Sequence, residues 1–115
     1  MAVGNLHGVY RFEPRIEWDL LATLVQRIPA YIVMHGGSGT PELERAGKLG
    51  VTKINIGTEV LTSCIECLRQ EATKPVMQAF EGLMFATVQA QKEAMVARIR
   101  CFGAKGKGKQ LLRSF

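Results

Sequence analysis

The 115-residue sequence predicts an α/β fold of parallel strands whose ligand-bearing ends face one way. Two observations carry that prediction. Short apolar runs alternate with helical stretches, the order of βαβ units. Three of the runs, ending at Leu6, Met34 and Ile56, close in polar or glycine-rich residues: His7-Gly8-Val9-Tyr10, His35-Gly36-Gly37-Ser38-Gly39 and Gly57-Thr58. Parallel strands present their C-terminal ends on one side of a sheet, so the three closings are expected to share one site.

Each element has a local reason. Ala2 to Leu6 is expected as a short first strand. Glu13-Pro14 leads into a helix on which Ile16, Leu20, Leu24 and Ile28 recur at helical spacing, and Pro29 closes it. Tyr31 to Met34 is continuously apolar, as a strand buried on both faces would be. Thr40-Pro41 reads as an N-cap followed by a first-turn proline, opening a helix from Glu42 to Leu49 with Gly50 just beyond it. Val51 to Ile56 is the third strand, and Thr58 is the expected N-cap of a helix from Glu59 towards Glu71. Lys74-Pro75 interrupts the chain before a long helix from Val76 to about Arg100. On it Met77, Phe80, Met84 and Val88 read as core, while Leu61, Ile65 and Leu68 set Cys64 and Cys67 on a packed face of the preceding helix. Residues 104–115 read as a basic, flexible tail after a unit spanning 1–103.

Composition narrows the function classes. No apolar run reaches the roughly 18 residues of a membrane span, and Met1 to Asn5 carry neither the basic nor the apolar region of an export signal. Cytoplasm is therefore the expected compartment, with the odd number of cysteines, three, as free thiols. The net charge of +5 owes much to Arg98, Arg100, Lys105, Lys107, Lys109 and Arg113. No aromatic residues interleave with those lysines, so a solvated tail is expected and a nucleic-acid partner is not. Gly103 to Lys109 fits G-x-x-x-x-G-K, but Gln110 stands where a serine or threonine is required and no strand precedes it. Cys64-x-x-Cys67 supplies only half of a structural zinc site.

The chemistry lies at the strand ends. Two neutral imidazoles, His7 and His35, suit a borderline metal such as zinc. Glycine-rich turns that open helices suit a phosphate, because backbone N–H groups approach its oxygens closely and Ser38 and Thr58 add hydroxyl donors. Arg11 and Arg15 either line the mouth of that site or are simply solvated. The strand–helix order by itself fits a barrel and an open doubly wound sheet equally well.

Asn5-Leu6-His7-Gly8-Val9-Tyr10, His35-Gly36-Gly37-Ser38-Gly39 and Lys53-Ile54-Asn55-Ile56-Gly57-Thr58 resemble the C-terminal half of class II ketose-bisphosphate aldolases, over about Ala2 to Gly103. That family includes the fructose- and tagatose-bisphosphate aldolases. The resemblance implies the sixth to eighth strands, with their helices, of a TIM (β/α)8 barrel, which takes about 250 residues when complete. It implies that His7 and His35 are zinc ligands. It implies a pocket for the dihydroxyacetone-phosphate end from Gly8, Gly36, Gly37, Ser38, Asn55, Ile56, Gly57 and Thr58, with Asn55 offering its amide to a sugar hydroxyl or an enediolate oxygen. The implied reaction is reversible cleavage of a ketose 1,6-bisphosphate to dihydroxyacetone phosphate and glyceraldehyde 3-phosphate, with Zn2+ as Lewis acid. The family's third zinc histidine and its catalytic aspartate belong to an N-terminal half with no counterpart in these residues. The helix after Gly39 is also shorter than the family pattern, which bears on where Asn55 and Thr58 sit. The expected partners are a sugar phosphate and either a second copy of the chain or a complementing half-barrel; an inactive remnant keeping the phosphate site, or a basic anion-binding module, stands as the alternative.

Overall fold

The computed structural model describes residues 2–9, 11–76 and 79–108. In chain order it runs α1 (Trp18–Arg27), β1 (Val33–Met34), α2 (Glu44–Leu49), β2 (Lys53–Ile54), α3 (Thr58–Ala72) and α4 (Phe80–Cys101). The two strands pair in parallel, Val33 opposite Lys53 and Met34 opposite Ile54. Hydrogen bonds from Thr52 N–H to the Ile32 carbonyl (3.0 Å) and from Asn55 N–H to the Met34 carbonyl (2.9 Å) extend the pairing at both ends. Both glycine-rich turns therefore leave the sheet from the same end, as the sequence requires.

The expected first strand is not formed by residues 2–6. Gly4 sits at φ +95, in the left-handed region, and this breaks the extended path that a ladder needs. The segment instead runs past the end of β1, anchored by the Glu17 N–H donating to the Val3 carbonyl at 3.0 Å and by the Asn5 side chain.

The core lies between the sheet and the first two helices. Leu21, Ile32, Met34, Leu43, Ala46 and Val51 fill it, with Val3 and Ile16 at its margin and Trp18, Leu24, Val25 and Ile28 packed against it. Ile16 precedes α1 rather than belonging to it, which shifts the helix phase: Trp18, Leu21, Val25 and Ile28 form the inner face, and Leu20 is exposed. Arg45 stacks over the Trp18 ring, 4.9 Å from its centroid, and joins α2 to α1. α2 starts at Glu44 because Glu42 adopts φ +48, a conformation no helix admits. Thr40 is not its N-cap; its hydroxyl donates to the Gly36 carbonyl at 2.9 Å and closes the preceding turn. Gly50 ends α2 at φ +105, the left-handed role expected of it.

The far layer departs furthest from expectation. α4 packs on α3, with Thr87 buried and Leu83, Ala86, Ala90 and Ala94 half-buried, whereas Phe80, at 70% exposure, Met84 and Val88 are exposed. Met77 lies outside the described residues. Leu61, Ile65 and Leu68 of α3 are exposed too, with Cys64 and Cys67 half-buried as free thiols. Tyr31 is 88% exposed and Val33 only half-buried, so β1 is covered on one face. The result is a slab of 57 × 42 × 16 Å with a radius of gyration of 17.4 Å, against roughly 13 Å for a compact domain of this length. Among the described residues no helix is long and apolar enough to cross a membrane. Turns carry the chain from Ala104 to Lys107, and residues 109–115 of the expected tail lie outside the described residues.

Candidate functional site

A cleft of about 330 Å³ opens at the C-terminal end of the β1–β2 pair. His7, Gly8, Gly36, Ser38, Asn55, Ile56, Gly57 and Thr58 line it, which is every residue the sequence pointed to except His35 and Gly37. His35 is outside that lining but lies beside two of its residues, His7 and Asn55. Its ring centroid is 5.6 Å from that of His7, with the two planes inclined at 59°. The Asn55 amide nitrogen lies 3.1 Å from Nδ1 and 3.4 Å from Nε2 of His35. The Asn55 side chain therefore sits against the ring edge that carries both His35 nitrogens. Both imidazoles are exposed, and their lone pairs are available at modest desolvation cost. Among the described residues no group of three or more His, Cys, Asp or Glu side chains gathers around a common point. The pair fits a tetrahedral zinc as two of its ligands, with the remaining positions left to groups from elsewhere.

Gly37 acts by packing. Its N–H donates to the Asn55 carbonyl at 3.1 Å, tying the first turn to the end of β2. A Cβ there would lie 2.7 Å from Ile56 Cδ1, 2.8 Å from Ile54 Cγ2 and 3.1 Å from the Asn55 carbonyl oxygen, so a side chain would push on both isoleucines where the strand ends approach.

Ser38 has a role the sequence did not disclose. Its buried Oγ accepts hydrogen bonds from the N–H groups of Gly57 and Glu59, each at 3.2 Å, at the start of α3. Thr58 makes no such cap; a residue from the neighbouring turn supplies it. Two accepted bonds use both lone pairs of the hydroxyl and leave its O–H to donate. Ser38 thus fixes the two turns relative to each other. Ser38→Ala is expected to cost about 1 kcal/mol, the usual worth of an N-cap, and to lower the midpoint of a circular-dichroism melt by a few degrees. Thr58→Ala should shift that midpoint much less, and an equal loss from both would contradict the assignment.

A second cleft, of about 550 Å³, shares Gly8, Ser38 and Thr58 with the first and is bounded by Glu59 and Arg98. These two form a bidentate pair between α3 and α4, with Arg98 Nε 2.8 and 2.9 Å from the two carboxylate oxygens and Nη2 2.8 Å from Oε2. The Glu59 hydrogen bond holds the Arg98 guanidinium above its ordinary pKa. Arg98 therefore belongs to the packed part of the molecule rather than to a solvated basic tail. A partner 39 positions away leaves no periodic trace in a sequence, so the pair was not legible there. Asn5, in contrast, opens one of the three motifs, with no role evident from the sequence, and proves to be a buried anchor of the site.

A parallel α/β unit that brings two histidines and two glycine-rich turns to one strand end defines the class of the chain, an α/β protein with a composite cleft at that end. The chain belongs to the class-II fructose-bisphosphate aldolase family, whose profile matches residues 1–107. It is 31% identical over 109 residues to the uncharacterized protein YdjI of Escherichia coli K12, covering 93% of this chain and 38% of that protein. It is 37% identical over 114 residues to the 6-phospho-5-dehydro-2-deoxy-D-gluconate aldolase of Shouchella clausii, covering 92% of this chain and 37% of the enzyme. The sulfofructosephosphate aldolase of Alkalicoccus urumqiensis is 30% identical over 115 residues, with 95% and 39% covered. The crystal structure of the YdjI aldolase superposes with a TM-score of 0.77 at 28% identity, over 92% of this chain and 38% of that one. The chain thus spans well under half the length of the relatives it matches.

Proposed function

We propose that these residues form the zinc- and phosphate-binding part of a class II aldolase active site, which cleaves a phosphorylated ketose reversibly between two carbons. The observation that carries this reading is the convergence of the His7–His35 pair and both glycine-rich turns on one cleft. His7 and His35 would hold the metal, which when bound polarises the ketose carbonyl as a Lewis acid. Gly8, Gly36, Ser38, Ile56, Gly57 and Thr58 would receive the phosphate, with Gly37 setting the distance between the turns. The start of α3 favours an anion through its dipole, and the Ser38 O–H is left to donate to it. A His35 nitrogen can serve one partner at a time. With His35 holding a metal, the Asn55 amide, which lines the cleft, would be free to offer its N–H to a substrate oxygen.

The names of two relatives bear on the substrate. One acts on a phosphorylated sugar acid and another on a sulfosugar phosphate, and what the two share is the phosphate. A phosphate site built by this chain is then the common element, and groups beyond it select the rest of the substrate. A ketose 1,6-bisphosphate such as fructose or tagatose bisphosphate, yielding dihydroxyacetone phosphate and glyceraldehyde 3-phosphate, is the member of that class we assign. The (β/α)8 barrel that would complete the site requires strands beyond the described pair. The exposed stripes of Leu61 and Ile65 on α3 and of Met84 and Val88 on α4 are the apolar faces a complementing half-barrel or a second copy would cover.

The phosphate part is testable without catalysis. Inorganic phosphate added to the 115-residue chain is expected to shift the backbone amide resonances of Ser38, Gly57 and Thr58 together, with one dissociation constant. Shifts confined to Lys105 and Lys107 would assign anion binding to the basic tail and overturn the pocket.

A further inference from the structure

Asn5 is 2% exposed and makes hydrogen bonds through both ends of its amide. Its Oδ1 accepts the Val3 N–H at 2.8 Å, and its Nδ2 donates to the His35 carbonyl. One end thus folds the segment that carries His7, and the other holds the backbone of His35. Residues 2–9 form no strand beside β1, and the Asn5 side chain is one of the ties between the two segments. The docking is close: a Cβ at residue 36 would run into the Leu6 carbonyl and come within 3.2 Å of Asn5 Nδ2.

We infer that Asn5 is the positioning residue that sets the two imidazoles against each other. His7 lies two residues beyond Asn5 on a stretch with no regular structure. The amide fixes where the stretch leaves the core. The 5.6 Å separation of the rings follows from that placement. Asparagine suits the task because it offers an acceptor and a donor on one short, rigid group. An aspartate would keep the bond to Val3 but oppose a negative oxygen to the His35 carbonyl. The inference rests on the metal reading only for the significance of the pair; the geometry it concerns exists without metal.

Nuclear Overhauser contacts between the His7 and His35 ring protons, measured on the full 115-residue chain without metal, test it. The parent should show them, and both Asn5→Ala and Asn5→Asp should lose them while keeping the far-ultraviolet circular dichroism of α1 to α4. Thr52→Val, which removes the 2.9 Å bond from the Thr52 hydroxyl to the Ile32 carbonyl at the other end of the sheet, should lower stability and keep the contacts. Adding Zn2+ provides the second measurement: ring shifts in the Asn5 variants should need at least about tenfold more metal than in the parent, the usual effect of losing an outer-shell partner. Ring contacts that persist in a folded Asn5 variant, or unfolding of both variants, would overturn the positioning role. A parent that shows the ring contacts but does not respond to Zn2+ would refute the metal reading alone and leave this inference supported.

Discussion

Purified by itself, the 115-residue chain is expected to cleave fructose 1,6-bisphosphate no faster than buffer does. Two imidazoles hold zinc weakly, and no third His, Cys, Asp or Glu joins them among the described residues. Among those residues no carboxylic acid lines the cleft in which the His pair and the turns meet, so the proton required at the departing aldehyde oxygen has no positioned donor. Such a donor contributes about 10²–10⁴-fold. Co-expression with the portion of the YdjI aldolase that this chain does not match should supply both, and raise the rate by at least about 10²-fold. The restored activity should disappear with a chelator and with His35→Ala. Chelator-sensitive cleavage by the isolated chain, lost in His35→Ala, would overturn this expectation and turn attention to Glu59, at the start of α3. Failure of every complement, with phosphate binding intact, would favour a remnant that keeps only its anion site.

Much of this site was legible because the residues that make it punctuate the chain. Histidine and glycine at the ends of apolar runs are few, and parallel pairing of β1 with β2 brings two such ends together without further instruction. The helices were harder to place in phase. Ile16 shares the apolar spacing of α1 without belonging to the helix, and counting from it turned Leu20 inward where Leu21 is buried. The stripe of Met84 and Val88 shows a different limit. Spacing tells which residues share a face but not whether another layer covers it, and among the described residues no layer does. Single side chains that bridge distant segments left no signal at all. Ser38 caps a helix 19 residues on, and Glu59 meets Arg98 across 39, because such contacts depend on the completed packing.

Gly36→Ala is expected to damage the molecule more than alanine at Gly57, although both glycines line the same cleft. Gly36 adopts φ +67, a region in which an added Cβ costs about 1–2 kcal/mol. The new methyl would also strike the Leu6 carbonyl, with the Leu6 carbonyl carbon only 2.9 Å away, and press on the Asn5 amide at 3.2 Å. These neighbours are backbone and a buried anchor, neither of which can swing aside, so overpacking adds about 1–3 kcal/mol. The sum, about 2–5 kcal/mol, is a large part of what a domain of this size can spare. Gly57 is at φ −135 and a methyl added there would meet nothing within 4 Å, so its alanine variant should fold as the parent does. Denaturant unfolding followed by circular dichroism measures the difference directly. Because the Gly36 clash pushes residues 5 and 6 away from β1, His7 should part from His35 as well, and Zn2+ should then shift the two rings independently. Equal stability of the two variants would mean that residues 2–9 are not docked on the end of β1, and with that the shared site of His7 and His35 would fall.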